Sequence, residues 1–267
     1  RRVGDRALHR GGESAEEQDA RQYVRRERAG DRFAEWAQLI AKANTAKQAL
    51  PLMSRELVST ASIKAVGEVL EGQQLPLGRI RITFSGGPAP MGSGRGAEPP
   101  TLVVVAGPMD PYPPTASVVT VPWPRNERGA LAGLKTTSYG ENVLALARAA
   151  EAGATEAVFA NLAGNLCEGT GTNVFLALGG RLVTPPLSAG CLAGVTRDLV
   201  MELVDVVEDD IPMDALAGAE EAFLTSSTRD VQPIRTVDAA PLPACPGPLT
   251  EGAGSAFRAL MERDLDP

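Results

Sequence analysis

The run Gly107-Pro-Met-Asp-Pro-Tyr-Pro-Pro114 places four prolines in eight residues, and no other feature constrains the fold of this chain as strongly. Each proline lacks a backbone N–H and disfavours helical geometry in the residue before it, so neither a helix nor a central strand can cross the run. It reads as an inter-domain linker, with an apolar core to be built on each side. A chain of 267 residues is long enough for one large domain or two modest ones.

Three regions follow. Residues 1–32 are rich in Arg, Glu, Asp and Gly with almost no apolar periodicity, which reads as a polar, solvated or poorly ordered arm. Residues 33–115 form a small α+β domain. Apolar residues at three- and four-residue spacing predict helices over 33–50 and 54–70, and the alternation in Arg79-Ile-Arg-Ile-Thr-Phe84 predicts a half-buried strand. A Gly/Pro/Ser-rich loop then leads to a strand over 101–106. Residues 116–267 make the larger domain, with strands over 117–121, 156–160, 173–178, 181–184 and 222–225. Helices are expected over 139–152, 195–206 and 249–263, and Gly179-Gly180 fits a two-residue hairpin turn.

A net charge of -7 and a pI near 5.0 argue against nucleic-acid binding, for which a basic excess is usual. Three cysteines without a CxxC pair suggest neither a disulfide framework nor a zinc site, and fit a reducing cytoplasm. The single histidine, His9, lies in the polar arm, which removes Ser-His-Asp hydrolysis and multi-histidine metal sites. No apolar stretch is long enough to cross a bilayer, so a soluble, cytoplasmic protein acting on small molecules is expected.

Four short motifs carry the chemistry. Lys135, in Gly-Leu-Lys-Thr-Thr-Ser-Tyr, is an amine; Glu168 heads Glu-Gly-Thr-Gly-Thr-Asn-Val-Phe and is a carboxylate. Gly194-Val-Thr-Arg197 sits where a loop becomes a helix, whose first N–H groups lack internal acceptors and can grip a phosphate. Leu224-Thr-Ser-Ser-Thr228 ends a strand with four successive hydroxyls suited to phosphate oxygens. An amine able to form a Schiff base and a carboxylate able to keep a pyridine nitrogen protonated are the two protein groups that pyridoxal phosphate chemistry needs most.

The four motifs in this order resemble the class IV pyridoxal-phosphate aminotransferase family, fold type IV. That family includes branched-chain and D-amino-acid aminotransferases and aminodeoxychorismate lyases. The resemblance covers roughly residues 77–267. The segments around Lys135 and Gly194 are most similar to lyase-type members. It implies a mixed α/β, two-domain architecture whose larger domain has a barrel-like mixed sheet with flanking helices, and a homodimer. It further implies that Lys135 forms the Schiff base and moves protons, with its pKa lowered by burial beside the cofactor. Glu168 would bind the pyridine nitrogen, and Val195, Thr196 and Ser227 would hold the phosphate. Cys167 reads as a packing residue.

Two departures stand out. The family's N-terminal Gly-Asp-Gly-Val-Phe-Glu strand is matched only by Val3-Gly4-Asp5, and the helix expected over 33–50 holds Lys42 and Lys47 but no arginine to pair with the phosphate. Either Arg32 or Lys42 substitutes, or the coding sequence is altered near its start, or cofactor binding is impaired. Gly140 also stands where branched-chain enzymes place a tyrosine. The leading expectation is a lyase that converts 4-amino-4-deoxychorismate to 4-aminobenzoate and pyruvate, for folate synthesis. The alternatives are a branched-chain or D-amino-acid transaminase and a non-catalytic relative. Arg79, Arg81 and Arg95 are candidate carboxylate ligands, although each also reads as surface charge.

Overall fold

The computed structural model describes residues 55–71, 73–92, 94 and 96–263. The polar arm, the helix expected over 33–50, Arg32, Lys42, Lys47 and Arg95 lie outside them. Helix α1 (Arg55–Leu70) packs against a two-stranded antiparallel ribbon of β1 (Gly78–Ser85) and β2 (Thr101–Pro108). The remaining strands build one nine-stranded mixed sheet: β3 (Ala116–Thr120), β4 (Glu156–Ala160), β5 (Leu166–Gly169), β6 (Asn173–Leu178), β7 (Arg181–Thr184), β8 (Val206–Glu208), β9 (Glu221–Ser226), β10 (Asp230–Val237) and β11 (Ala240–Pro241). Its order is β5-β4-β3-β10-β9-β6-β7-β8, with β11 paired to β10. Helices α2 (Gly140–Glu151), α3 (Val195–Leu203) and α4 (Pro248–Arg263) flank it. This is a mixed α/β architecture, with the sheet curled into a half-barrel.

The curl is set by β10. Its first half pairs antiparallel with β9 through Pro233, and from Ile234 onward it pairs parallel with β3. Pro233 cannot donate to a ladder and therefore sits where the strand exchanges neighbours. That proline also conceals β10 from a reading of apolar alternation, and the strand was not expected. The helix expected over 195–206 ends early, at Leu203. Val204 is extended (φ -135°, ψ 157°), and Val206 pairs with Leu182 of β7. β-branched residues lose little in an extended strand and more in a helix, so the open edge of β7 captures them. Between β6 and β7, Gly179 and Gly180 have φ of 58° and 71°, as a twist-matched two-residue hairpin turn requires.

Strand alternation divides the core. Val174, Leu176, Ala222 and Leu224 face one fully buried cluster, while Phe175, Ala177 and Phe223 face another, covered by Val200 of α3 and Phe257 of α4. Phe175 and Phe223 stack at 4.7 Å between centroids. Each such ring contributes about 1.5–3 kcal/mol through burial, and together they fix β6 against β9. On the far side, Ala145 and Ala149, one turn apart on α2, pack on Phe159 of β4. The sheet thus carries Glu168 on β5 at one end and the Ser226 turn at the end of β9, while α2 and α3 approach from the flanks.

Candidate active site

Lys135, Glu168, Val195, Thr196 and Ser227, far apart in sequence, line one cleft of about 540 Å³. That volume suits a small organic ligand. Its walls are the loop between β3 and α2, the β5–β6 connection, the start of α3 and the turn between β9 and β10.

Glu168 is the most constrained of these groups. One carboxylate oxygen accepts the Leu192 N–H at 2.8 Å and the other accepts Arg125 Nε–H at 3.1 Å. Burial pushes its pKa up, while the Leu192 N–H, the Arg125 guanidinium and the charge of Lys135 pull it back. Arg125 is itself fixed: its guanidinium lies 4.1 Å above the Phe159 ring centroid, and Nη1 donates to Asn142 Oδ1 at 2.9 Å and to Glu141 at 3.3 Å. Sequence reasoning missed Arg125. It lies in a proline-rich stretch and meets Glu168 across a separation of 43 residues, so no local pattern announces the pair.

Lys135 is exposed, and its Nζ donates to the Tyr139 hydroxyl at 3.4 Å. Glu127 anchors the loop start by accepting the Leu162 N–H at 2.9 Å. Cys167 is buried and donates to the Ala189 carbonyl at 3.2 Å. Burial pushes both its thiol and that of Cys191 well up, the latter to about 12, which fits packing and not nucleophilic attack.

At the opposite end, Gly194 is the N-cap of α3 and has no side chain to occupy the cleft. A Cβ there would overlap Asn173 Oδ1, so any side chain at this position requires the Asn173 amide to shift. The first N–H groups of the helix have no intrahelical acceptor and face negative charge favourably. Thr196 is buried beside them. Across the cleft stand Ser226 and Ser227, next to Thr225, whose buried Oγ1 has no hydrogen-bond partner among the described residues. Arg197 lines the same end, but its Nη2 donates to the Pro185 carbonyl at 3.0 Å and pairs with Glu208. It is committed to the fold. Arg79 and Arg81 do not line the cleft. Among the described residues no cluster of His, Cys, Asp and Glu could hold a metal, and no helix is long and apolar enough to cross a membrane.

A β-sheet half-barrel bearing an amine, a part-buried carboxylate and a helix N-terminus around one cleft defines a class of enzyme scaffold, and the comparisons place the chain within it. Residues 39–237 match the model of the amino-transferase class IV family, to which this chain belongs. It is 31% identical over 198 residues to a Methanocaldococcus jannaschii protein assigned as a branched-chain-amino-acid aminotransferase, a match covering 71% of this chain and 67% of that protein. It is 36% identical over 130 residues to a Pseudomonas aeruginosa branched-chain-amino-acid aminotransferase, covering 46% of this chain and 42% of the relative, so the alignment spans less than half of that enzyme. The fold is shared with a Legionella pneumophila protein assigned as a 4-amino-4-deoxychorismate lyase, with TM-score 0.73, 21% identity, and coverage of 87% and 85% of the two chains. It is shared equally with Escherichia coli branched-chain amino acid aminotransferase, with TM-score 0.72, 24% identity, and coverage of 86% and 78%. A Thermobaculum terrenum family member has been solved in its pyridoxal phosphate form.

Proposed function

We propose that this chain binds pyridoxal phosphate in the cleft and transfers amino groups between amino and keto acids. The carrying observation is that Lys135, Glu168, Val195, Thr196 and Ser227 converge on one cleft of suitable size. The residues present fit the cofactor: Gly194 leaves room at a helix start, Thr225 offers a hydroxyl with no partner among the described residues, and an amine and a carboxylate lie at the other end. Pyridoxal phosphate supplies an aldehyde that condenses with amines and a ring that accepts an electron pair.

Val195 and Thr196 would hold the phosphate through backbone N–H groups, with the Thr196 and Ser227 hydroxyls adding neutral bonds. Glu168 would accept the ring N–H. Arg125 opposes the desolvation that raises the Glu168 pKa and so favours the ionised form this role needs. Lys135 Nζ would hold the aldehyde end and move the proton at the substrate carbon. Tyr139, hydrogen-bonded to that nitrogen, orients it.

Transamination is preferred because the two sequence relatives described above carry the name of branched-chain-amino-acid aminotransferases. The lyase reading is favoured by one observation. Among the described residues a Cβ at Gly140 would meet nothing within 4 Å, so their packing does not impose glycine where branched-chain enzymes carry tyrosine. Purified protein supplied with pyridoxal phosphate, a branched-chain amino acid and 2-oxoglutarate should form glutamate. Formation of 4-aminobenzoate and pyruvate from 4-amino-4-deoxychorismate, with no glutamate, would select the lyase instead. The exposed side chains of Val143, Leu144 and Leu146 on α2 and of Leu131 and Leu134 beside Lys135 form apolar surface that supports a homodimer.

A further inference from the structure

We infer that Glu156 and Arg229, a buried ion pair outside the cleft, are positioning residues that lock the pyridine-binding and phosphate-binding ends of the site into one register. The inference rests on the cofactor reading above and assigns roles to two residues that reading leaves out.

Glu156 opens β4 and is 2% exposed. Oε1 accepts the Thr170 N–H at 3.1 Å and also the Thr170 hydroxyl, and Oε2 accepts the Thr172 hydroxyl at 3.5 Å. Thr170 and Thr172 belong to the short connection that leaves Glu168 and enters β6, and both line the cleft. A Cβ on Gly169 would overlap Thr172 Oγ1 and lie 3.3 Å from Glu156 Cγ, so the connection is held against this carboxylate without slack.

Arg229 Nη2 lies 3.4 Å from Glu156 Oε2. Its guanidinium also donates to Gln232 Oε1 at 2.8 Å and to the Thr155 carbonyl at 3.0 Å, and it stacks 4.2 Å over the Tyr112 ring. Its backbone N–H donates to Ser226 Oγ at 3.2 Å, closing the turn that presents Ser227. A continuous polar path results. It runs from Glu168 through Arg125, Asn142 and the Thr170 carbonyl to Glu156, then through Arg229 to the Ser226 turn. A buried ion pair contributes little net stability, because both charges have left water; what it fixes is geometry. Here the geometry fixed is the placement of one end of the cleft against the other.

The test is Arg229→Met, with Arg229→Lys as the variant that keeps the charge but loses the planar guanidinium that serves Gln232 and Thr155 and stacks on Tyr112. Two readouts apply. The first is the affinity for pyridoxal phosphate and for pyridoxal, which lacks the phosphate, by absorbance titration. Arg229→Met should weaken pyridoxal phosphate by at least about tenfold and leave pyridoxal within about twofold, with Arg229→Lys between the two. The second is hydrogen exchange in the cofactor-free protein, where both the Thr228 and the distant Thr170 amides should exchange at least about tenfold faster. Equal losses for both ligands, no loss for either, or faster exchange confined to the turn would overturn the coupling. Failure of the parent protein to bind pyridoxal phosphate would instead refute the proposed function, and the exchange at Thr170 would still decide this inference.

Discussion

Replacing Glu168 by glutamine preserves the side chain's shape and removes its charge. The carboxylate accepts from two donors, the Leu192 N–H at 2.8 Å and Arg125 Nε–H at 3.1 Å. The glutamine carbonyl can serve one of them, and its NH2 group must then face the other. A buried unmade bond costs about 1–3 kcal/mol. Against this, burial raises the Glu168 pKa, so a neutral amide is relieved of a desolvation cost of similar size. The two effects oppose, and the cofactor-free variant should melt within a few degrees of the parent. Cofactor binding has no such compensation. An amide carbonyl can accept from the ring N–H but has no charge to keep that nitrogen protonated, and losing a charge-assisted hydrogen bond of about 1.5–3 kcal/mol corresponds to roughly 10- to 100-fold weaker binding. Absorbance titration with pyridoxal phosphate and thermal melts separate the two effects. A variant that binds cofactor and turns over like the parent would refute the role given to Glu168, and a large loss of stability would refute the balance.

Asp230 has φ of 52° and is desolvated enough to push its carboxyl up to about 6. The unfolded chain releases that proton at a lower pH than the folded one, so the native state loses stability as pH rises through the range from about 4 to 6. Asn tolerates the same left-handed backbone, and Asp230→Asn should be about 1–2 kcal/mol more stable than the parent at neutral pH. Melts that show the same difference at about pH 4 and pH 7.5 would contradict this. Gly194→Ala forces a methyl onto Asn173 Oδ1. It should weaken phosphate-bearing ligands more than about tenfold while leaving pyridoxal nearly unaffected, as equilibrium dialysis of the two would show.

Much of the site was legible because its chemistry is carried by short motifs. The amine, the carboxylate, the helix start and the hydroxyl run each declare themselves within a few residues, and all line one cleft. Strands over 156–160, 173–178 and 181–184 were equally plain, since apolar runs bounded by glycine have few other readings. What stayed hidden depends on distant partners. β5 spans only Leu166–Gly169 among glycines, too short to show a period, and it exists because β4 offers an edge. Arg125 and Arg229 look like surface charges in sequence, and only the folded chain brings them to Glu168 and Glu156.

The most direct test is the visible spectrum of the purified chain with pyridoxal phosphate, read beside Lys135→Ala. The account predicts a saturable absorbance band in the parent, retained on gel filtration and lost in the variant, which keeps its fold and melting temperature. A parent that develops no such band, or a Lys135→Ala protein that develops the same one, would contradict it.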